Sequence, residues 1–112
     1  MHSSVLVTAP DLQTAKDIGN RMVDKGLAAC VNIWEIFSIY RWQGEVHREP
    51  EAAMLFKVTT EGFEALRSEI LKHHPYDVPC IVRYDIADGH RPYLDWISES
   101  VVPCSAEYQK HE

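Results

Sequence analysis

A long, mostly apolar stretch with one short polar break restricts the fold of this chain more than any other feature. LAACVNI (27–33) has the β-branched and apolar composition of a strand, and the apolar character continues as far as Trp42. Gln43-Gly44 then predicts a turn, EVHRE (45–49) resumes extended structure, and AAMLFKV forms the returning strand. Residues 27–59 are therefore predicted to form one long, bent β-hairpin, in which Pro50 marks a bulge or an edge position.

The side chains of this hairpin are apolar on both faces. Strand residues alternate between the two faces of a sheet, so apolar residues at odd and even positions cannot all point into one core. The residues concerned are Trp34, Phe37, Ile39, Tyr40 and Trp42. Two helices cover only one face of a sheet, and the other face leaves aromatic surface in water unless a second subunit covers it. We therefore expect a homo-oligomer assembled through residues 34–46.

Shorter signals predict the first strand and the first helix. SVLVTA (4–9) is apolar and β-branched, as strands are. Asp11 is a favourable N-cap for the helix LQTAKDIGNRMVDK, whose apolar residues recur with a helical period. Gly26 follows this helix, and a glycine there can adopt the positive φ that is common just after a helix C-terminus.

The second half of the chain repeats the alternation of helix and strand. Thr59 or Thr60 is predicted to cap the helix EGFEALRSEILKHH, which Pro75 ends. Pro92 suits the first turn of a last helix, PYLDWISES. Between them, CIVRYDIA (80–87) alternates like a half-buried strand, with an apolar face made of Cys80, Val82, Tyr84 and Ile86.

The predicted order of elements is β-α-β-β-α-β-α. This order is typical of the α+β class, specifically a ferredoxin-like β-α-β-β-α-β sandwich with an extra C-terminal helix and a long β-hairpin. A chain of 112 residues is one domain by length, so residues 1–112 are predicted to form a single domain. We place its core at about residues 4–100 and a loose tail at residues 101–112.

Charge and hydropathy argue against two classes of partner. The chain has 11 Lys and Arg against 17 Asp and Glu, a net charge of −6, which disfavours nucleic-acid binding. No stretch approaches the roughly 20 apolar residues of a membrane span. The N-terminus has no secretory pattern. We therefore expect a cytoplasmic protein without a nucleic-acid or membrane partner.

The cysteines do not form a recognisable framework. Cys30, Cys80 and Cys104 lie far apart, their number is odd, and no C-x-x-C occurs. We predict free thiols, with Cys30 and Cys80 as small core residues and Cys104 in the tail.

HHPYDVP (73–79) is the strongest candidate for chemistry. His73 is expected in the last helical turn and His74 in an extended conformation, because the residue before a proline is disfavoured in the α region. From residue types alone, bonding to the last helix carbonyls is favoured over metal binding, although histidine is the commonest metal ligand. The two rings diverge, so a metal ion would need further donors from another subunit or from water.

The remaining candidates carry weaker signals. Lys57 lies on a strand opposite to its apolar neighbours and is expected to reach solvent, with an anion-binding role as the alternative. Tyr93 and Trp96 of the last helix are expected to pack. No metal-ligand spacing, nucleophile elbow or phosphate-binding loop occurs, so no enzyme is predicted. A Cys30–histidine pair formed only in three dimensions is the enzymatic alternative.

Six stretches in register resemble the CutA divalent-cation tolerance family. They are TAPD (8–11), KGLAACVNI (25–33), SIYRWQGEV (38–46), KVTT (57–60), HHPYDVP (73–79) and YLDWISES (93–100), and they span nearly the whole chain. The resemblance implies a ferredoxin-like fold and a tightly packed cytoplasmic homotrimer similar in structure to the PII signalling proteins. It also implies binding of copper or another divalent cation.

The resemblance further implies functional residues. In some relatives the metal ligands are a cysteine just before the Thr of TAPD and the two histidines of HHPY. His73 and His74 match, whereas the cysteine position is Val7, which removes the softest ligand for Cu(I). The residues that match family motifs around a cleft between subunits are Cys30, Tyr40, Trp42, Lys57, Tyr76 and Trp96.

Two functions follow from the resemblance. The first is a homotrimeric divalent-cation tolerance protein that binds metal weakly through His73 and His74. The second is a PII-like sensor that binds a small anionic ligand in the intersubunit cleft near Lys57 and Trp96. A stable scaffold without a ligand is a further alternative, because fold alone does not determine function.

Overall fold

The computed structural model describes residues 1–102 as a four-stranded antiparallel sheet with three α-helices. The elements are β1 (His2–Ala9), α1 (Leu12–Asp24), β2 (Cys30–Trp42), β3 (Glu45–Thr59), α2 (Phe63–His73), β4 (Ile81–Asp85) and α3 (Arg91–Ser100). A short 3₁₀ turn, Thr60–Gly62, precedes α2. The strand order β2-β3-β1-β4 is the ferredoxin-like one, so the predicted α+β class is confirmed.

The main core lies between one face of the sheet and helices α1 and α2. Buried residues alternate along β1, and Val5 and Val7 point towards the helices. Phe56 of β3 lies opposite Val5 and is also fully buried. The helices contribute Ile18, Met22, Leu66 and Ile70, none more than 2% exposed. Burial of each such side chain stabilises the fold by about 1.5–3 kcal/mol.

Both predicted ends of α1 are confirmed. The Asp11 carboxylate accepts a hydrogen bond from the Thr14 N–H at 2.8 Å, and this bond holds the pKa of Asp11 below its usual value. At the other end, Gly26 has φ +73. A Cβ at this position would also lie 2.8 Å from Cγ1 of Val102, so a close approach adds to the conformational reason for glycine.

The hairpin of β2 and β3 closes through a two-residue turn. Trp42 pairs with Glu45, and both Gln43 (φ 50) and Gly44 (φ 80) have positive φ, as the favoured hairpin turns require. Pro50 pairs with Phe37 in an uninterrupted register. It precedes the part of β3 that pairs with β1, so it occupies an edge position and not a bulge.

Two predicted boundaries differ from the structure. β2 begins at Cys30 and not at Leu27. Residues 27–29 are buried but form no strand, and the Leu27 N–H donates back to the Met22 carbonyl oxygen of α1 at 2.9 Å. Neither Thr59 nor Thr60 caps a helix through its side chain. The Thr60 hydroxyl instead bonds the Ser3 hydroxyl at 2.7 Å, which ties the start of α2 to β1.

Of the four residues predicted for the apolar face of β4, Cys80 and Ile86 are partly buried, but Val82 and Tyr84 are exposed. Val82 is 42% exposed and Tyr84 is 50% exposed. They pair with Leu6 and Ser4, which point away from α1 and α2, whereas Ile81 pairs with Val7 and packs on the core. Cys80 is half-buried, as is Cys30, so neither thiol is the fully buried core residue expected.

The last helix packs as its sequence period predicts. Leu94 and Ile97 of α3 are buried with Ala29 in a second, smaller core. After α3, the Val102 N–H donates to the Gly26 carbonyl oxygen at 2.9 Å. The rest of the predicted tail, including Cys104, lies outside the described residues. None of the helices within residues 1–102 is long and apolar enough to cross a membrane.

Large apolar side chains are exposed along the hairpin, as the alternation predicted. Phe37 is 65% exposed and Ile39 is 66% exposed, and they share a face of β2. We call the whole set the hairpin surface: Trp34, Phe37, Ile39, Tyr40, Trp42 and Val46.

Candidate functional site

A cavity of about 750 Å³ opens between the hairpin and the loop that follows α2. One wall is β2 between Phe37 and Trp42, and the other is the loop from Pro75 to Cys80. Thr8 at the end of β1 and Glu51 of β3 complete the lining. The cavity therefore joins two stretches that the sequence singled out separately, the aromatic hairpin and HHPYDVP.

His74 fixes the loop in place. The α2 helix ends at His73, and His74 is extended (φ −85, ψ 134), as predicted for a residue before proline. Its Nε2 donates to the backbone carbonyl oxygen of Thr8 at 2.7 Å, and its Nδ1 accepts from the Tyr76 N–H at 3.1 Å. These partners assign the proton to Nε2 and occupy both ring nitrogens.

Tyr76 connects the loop to the hairpin. Its hydroxyl donates to Oε2 of Glu51 at 2.5 Å, and Glu51 is only 8% exposed. Burial raises the pKa of the Tyr76 phenol, and the hydrogen bond to Glu51 raises it further. The phenol is therefore a stable donor to a buried carboxylate.

Tyr40 forms a second phenol–carboxylate hydrogen bond, closer to the hairpin turn. Its hydroxyl donates to Glu49, and its ring stacks on the imidazole of His47 with centroids 5.3 Å apart. The hydrogen bond to Glu49 is the main reason that the pKa of Tyr40 rises to about 12. Two phenol–carboxylate pairs thus lie side by side on this face of the hairpin.

His73 belongs to a different cluster. Its Nε2 lies 3.2 Å from Oε2 of Glu69, one helical turn earlier. Lys25 donates to the same oxygen at 2.6 Å, and Lys72 lies 3.3 Å from Oε1. The hydrogen bond from Lys25 is the largest of the causes that lower the pKa of Glu69 to about 2. Glu69, 4% exposed, is therefore a buried anion that ties α2 to the end of α1.

The predicted cleft residues fall into two groups within one chain. Tyr40, Trp42 and Tyr76 meet around the cavity. Cys30 is ten residues before Tyr40 on β2, a distance of about 33 Å at the rise of a strand. Cys30 pairs with Lys57 in the sheet, so these two residues are at the other end.

At that other end, α3 supplies the neighbours. The Cys30 thiol lies 3.6 Å from the Tyr93 hydroxyl, a contact that raises the pKa of Tyr93. The Tyr93 and Trp96 rings are 5.4 Å apart. The Lys57 ammonium donates to Oδ1 of Asn32 at 3.1 Å. Cys30, Lys57 and Trp96 therefore share a region with Tyr93. Within residues 1–102 the Cys30 thiol forms its hydrogen bond with Tyr93 and none with a histidine.

The donors of residues 1–102 in one chain do not fit a tightly held metal ion. Within residues 1–102 no group of three or more His, Cys, Asp or Glu side chains could hold one. His74 has both ring nitrogens occupied, and the Glu69 carboxylate beside His73 is already neutralised by lysine. Val7 is fully buried and supplies no donor. Any metal at the histidines would need water or a second subunit to complete its shell.

Sequence reasoning did not single out Glu49, Glu51 or Glu69. A signal for the first two existed, because Glu45, His47, Glu49 and Glu51 alternate along β3 and so share one face. For Glu69 the signal was its spacing of four residues from His73 on a helix. What the sequence lacked was the partner of each carboxylate, since Tyr76 and Lys25 are distant in the chain.

The sequence and the fold were compared with known proteins. The profile of the CutA1 divalent ion tolerance protein family matches residues 3–100. The chain is 46% identical over 101 residues to the divalent-cation tolerance protein CutA of Thermus thermophilus, covering 89% of this chain and 98% of that one. It is 42% identical over 101 residues to the CutA protein of Archaeoglobus fulgidus, covering 90% and 99%.

Solved structures agree with the sequence matches. A structure from Archaeoglobus fulgidus, described as a periplasmic divalent cation tolerance protein CutA, has a TM-score of 0.89 at 41% identity. The match covers 91% of this chain and 100% of that one. The divalent cation tolerance protein of Thermus thermophilus has a TM-score of 0.88 at 46% identity, with the same coverage.

Proposed function

This chain belongs to the CutA1 divalent ion tolerance family, and from that premise we propose that it acts in cellular tolerance to divalent cations as a cytoplasmic homotrimer. The single observation that supports assembly is the hairpin surface. Phe37 and Ile39 are each about two-thirds exposed, and apolar patches of this kind mark contacts between subunits. No catalytic step is part of the proposal.

The proposed contacts between subunits lie along residues 34–46. A dimer or trimer would cover Trp34, Tyr40 and Trp42, which lie on the face of the sheet opposite to α1 and α2. It would also cover Phe37 and Ile39, which lie on the helix-bearing face but further along the hairpin than the core. Trp34→Glu places a charge in this surface and should convert the assembly to smaller species in light scattering. Leu71→Glu, on an exposed apolar position of α2, is the matched control. A wild-type monomer at micromolar concentration would contradict the proposal.

The divalent cation is proposed to bind weakly, as a transient cargo, at His73 and His74. The two residues contribute unequally. His73 is half-buried and its ring faces the Glu69 cluster, whereas His74 would have to break a hydrogen bond to Thr8 or Tyr76 before it could coordinate. Copper and zinc are the cations to test, because imidazole suits both. Protons compete for the same lone pairs, so binding should weaken in acid.

Calorimetry with Cu²⁺ and Zn²⁺ tests this site. His73→Ala should weaken binding more than His74→Ala, because His73 loses less internal bonding when it turns to a metal. His90→Ala, at an exposed position before α3, is the control. Equal metal affinity in the wild type and both variants would show that neither His73 nor His74 is a metal ligand. Survival in raised copper of a CutA-deficient host that expresses the chain would test tolerance itself.

Two cysteines support the proposed cytoplasmic location. Cys30 and Cys80 are free thiols, and free thiols are typical of a reducing compartment. The relative from Archaeoglobus fulgidus is described as periplasmic, so the assignment needs its own measurement. Cell fractionation that found the protein in the periplasm would contradict it.

A second candidate function is a small-molecule sensor of the PII type. The observation that favours it is the cavity of about 750 Å³, which is in the range of ligand sites. The anion-binding residues proposed for such a cleft, Lys57 and Trp96, are at the other end of the sheet and would have to come from a neighbouring subunit. ATP, citrate and phosphate should raise the melting temperature of the wild type, and Lys57→Ala should abolish the effect. No shift with any anion would argue against this function.

A further inference from the structure

The loop between β4 and α3 contains a pair of residues with its own chemistry, Asp88-Gly89. Asp88 is the one aspartate of the chain that a glycine follows, and neither asparagine precedes a glycine. Because glycine has no Cβ, its backbone nitrogen is the least hindered in a protein. An aspartate side chain can present its carboxyl carbon to the nitrogen of the next residue, and the two can close a five-membered ring.

The structure holds the two reacting groups together. The Gly89 N–H donates to Oδ1 of Asp88 at 2.8 Å. Since Cγ is bonded directly to Oδ1, the Gly89 nitrogen also lies beside the carbon that it would attack, which is the proximity that an intramolecular reaction needs. No ion pair within residues 1–102 draws the Asp88 carboxylate away from this position.

The surroundings of Asp88 also allow the reaction. Residues 87–90 are exposed and belong to no helix or strand, so the backbone can adjust as the ring closes. Other aspartates are held differently. The Asp11 carboxylate accepts from the Thr14 N–H as the cap of α1, and Asp85 lies in β4, where Arg83 donates to its carboxylate.

We propose that Asp88 is a site of spontaneous covalent modification to isoaspartate, through a succinimide. The Gly89 nitrogen loses its proton and bonds to Cγ of Asp88, and one carboxyl oxygen leaves as water with that proton and a second proton from solvent. Water then adds to the main-chain carbonyl carbon of Asp88, and the bond from that carbon to the Gly89 nitrogen breaks. The nitrogen takes one proton of this water, and solvent takes the other. The chain then runs through Cβ and Cγ, and the former main-chain carbonyl carbon carries the free carboxylate.

The modification should loosen α3. The extra main-chain carbon lengthens the loop just before the helix, where the His90 carbonyl oxygen accepts from the Tyr93 and Leu94 N–H groups. A Cβ at Gly89 would lie 3.3 Å from Cδ2 of Leu94, so the backbone packs closely on this buried side chain. A displaced Gly89 therefore disturbs the smaller core, in which Leu94 packs with Ile97.

This inference goes beyond the proposed function, because the covalent change needs neither a metal ion nor a second subunit. The full chain in its native assembly is aged in warm neutral buffer. Isoaspartate is then counted by methyl transfer from labelled S-adenosylmethionine with an isoaspartyl methyltransferase, and is located by peptide mapping. It should accumulate at residue 88 and not at Asp77, which is also exposed but precedes the β-branched Val78.

Two variants test the chemistry. Asp88→Glu keeps the charge at an exposed position and should abolish the modification, because the longer side chain disfavours ring closure. Gly89→Ala should slow it several-fold, because the new Cβ hinders the nitrogen. The wild-type rate in the folded chain should equal or exceed the rate in urea, since the fold holds the reacting groups in contact.

Hydrogen exchange tests the effect on α3. The Leu94 amide should exchange faster in the aged wild type than in fresh protein. Aged Asp88→Glu protein should exchange like fresh protein, which separates the modification from general ageing. Unchanged exchange at Leu94 in modified protein would overturn the proposed loosening of α3.

Four results would overturn the modification itself. They are absence of isoaspartate at residue 88 in the aged wild type, equal modification at Asp77, an unchanged yield in Asp88→Glu, and a rate in the folded chain well below the rate in urea. The tests of metal binding and assembly use other residues, so failure here leaves the proposed function standing.

Discussion

His74 donates a hydrogen bond from Nε2 to the backbone carbonyl oxygen of Thr8 at 2.7 Å. The bond crosses from the loop after α2 to the last residues of β1. Nδ1 of the same ring accepts a hydrogen bond from the Tyr76 N–H. One imidazole therefore satisfies a backbone carbonyl of β1 and a backbone N–H of the loop. The position of the cavity wall depends on this contact, since Tyr76 follows two residues later.

His74→Ala should therefore act mainly on stability. The substitution leaves the Thr8 carbonyl and the Tyr76 N–H without their partners, and we expect a loss of about 1–3 kcal/mol. Urea denaturation at fixed protein concentration measures it, because assembly makes stability concentration-dependent. His90→Ala, at an exposed position, should cost much less. Equal unfolding midpoints for the two variants would show that the His74 contacts do not stabilise the fold.

Glu69 should make stability depend on pH in acid. Its folded pKa is about 2, lowered from 4.5 chiefly by the hydrogen bond from Lys25. A lowered pKa means that the folded state binds the proton less readily than the unfolded state. The stabilisation is therefore complete above 4.5 and is lost as the pH falls towards 2. Melting temperatures of Glu69→Gln and wild type should differ most near pH 6, differ less at pH 3, and converge only as the pH approaches 2.

The control for this experiment is Glu64→Gln. Glu64 is exposed and lies 3.6 Å from Arg67 in a surface pair, which contributes little to stability. Its curve should follow that of the wild type at every pH. A difference between Glu69→Gln and wild type that stays constant from pH 6 to pH 3 would argue against the Lys25–Glu69 linkage.

Substitution by alanine should destabilise the fold by different amounts at Gly26 and at Gly44. Both have positive φ, so each substitution introduces backbone strain, at a cost of about 1–2 kcal/mol. At residue 26 the new Cβ also meets Val102 at 2.8 Å, whereas at residue 44 no atom lies within 4 Å. Gly26→Ala should therefore destabilise more than Gly44→Ala in thermal melts. The same loss in both would show that Val102 moves away without cost.

Glu49 should control the ionisation of Tyr40. The pKa of Tyr40 is about 12, raised from 10.0 mainly by its hydrogen bond to Glu49. Glu49→Gln should bring it back towards 10, seen as earlier phenolate absorbance in an alkaline difference titration. In the wild type, the contribution of this pair to stability is present below 10.0 and is lost as the pH rises through about 12. Glu35→Gln should leave the titration unchanged.

Much of the fold follows from local patterns in the sequence. The Asp11 cap, the positive φ of Gly26, the Gln43-Gly44 turn and the extended His74 each depend on residues within a few positions, and each is confirmed. The prediction for the apolar face of β4 was wrong at two of its four residues, because alternation shows that a strand has two faces and does not show which one the helices cover. Pairing with Leu6 decided that Val82 points away from them.

The candidate site was less accessible to sequence reasoning. The family motifs predicted one cleft lined by six residues: Cys30, Tyr40, Trp42, Lys57, Tyr76 and Trp96. The motifs alone could not show that, within one chain, these residues form two groups at opposite ends of the sheet. Within the chain, the length of β2 keeps Cys30 away from Tyr40. In the proposed homotrimer, a neighbouring subunit would bring the two groups of cleft residues together.

By itself, the sequence determined the strand and helix order, both ends of α1, the end of α2 before Pro75, the hairpin turn and the surplus of apolar side chains on the hairpin. Those features depend on local conformational preference and on periodicity. Only the tertiary structure decided that His74 is bonded at both ring nitrogens, that Glu69 lies among cations, and that Glu51 accepts a hydrogen bond from Tyr76. These environments depend on contacts between residues far apart in the chain, such as the pairs Lys25–Glu69 and Glu51–Tyr76, and no local pattern specifies them.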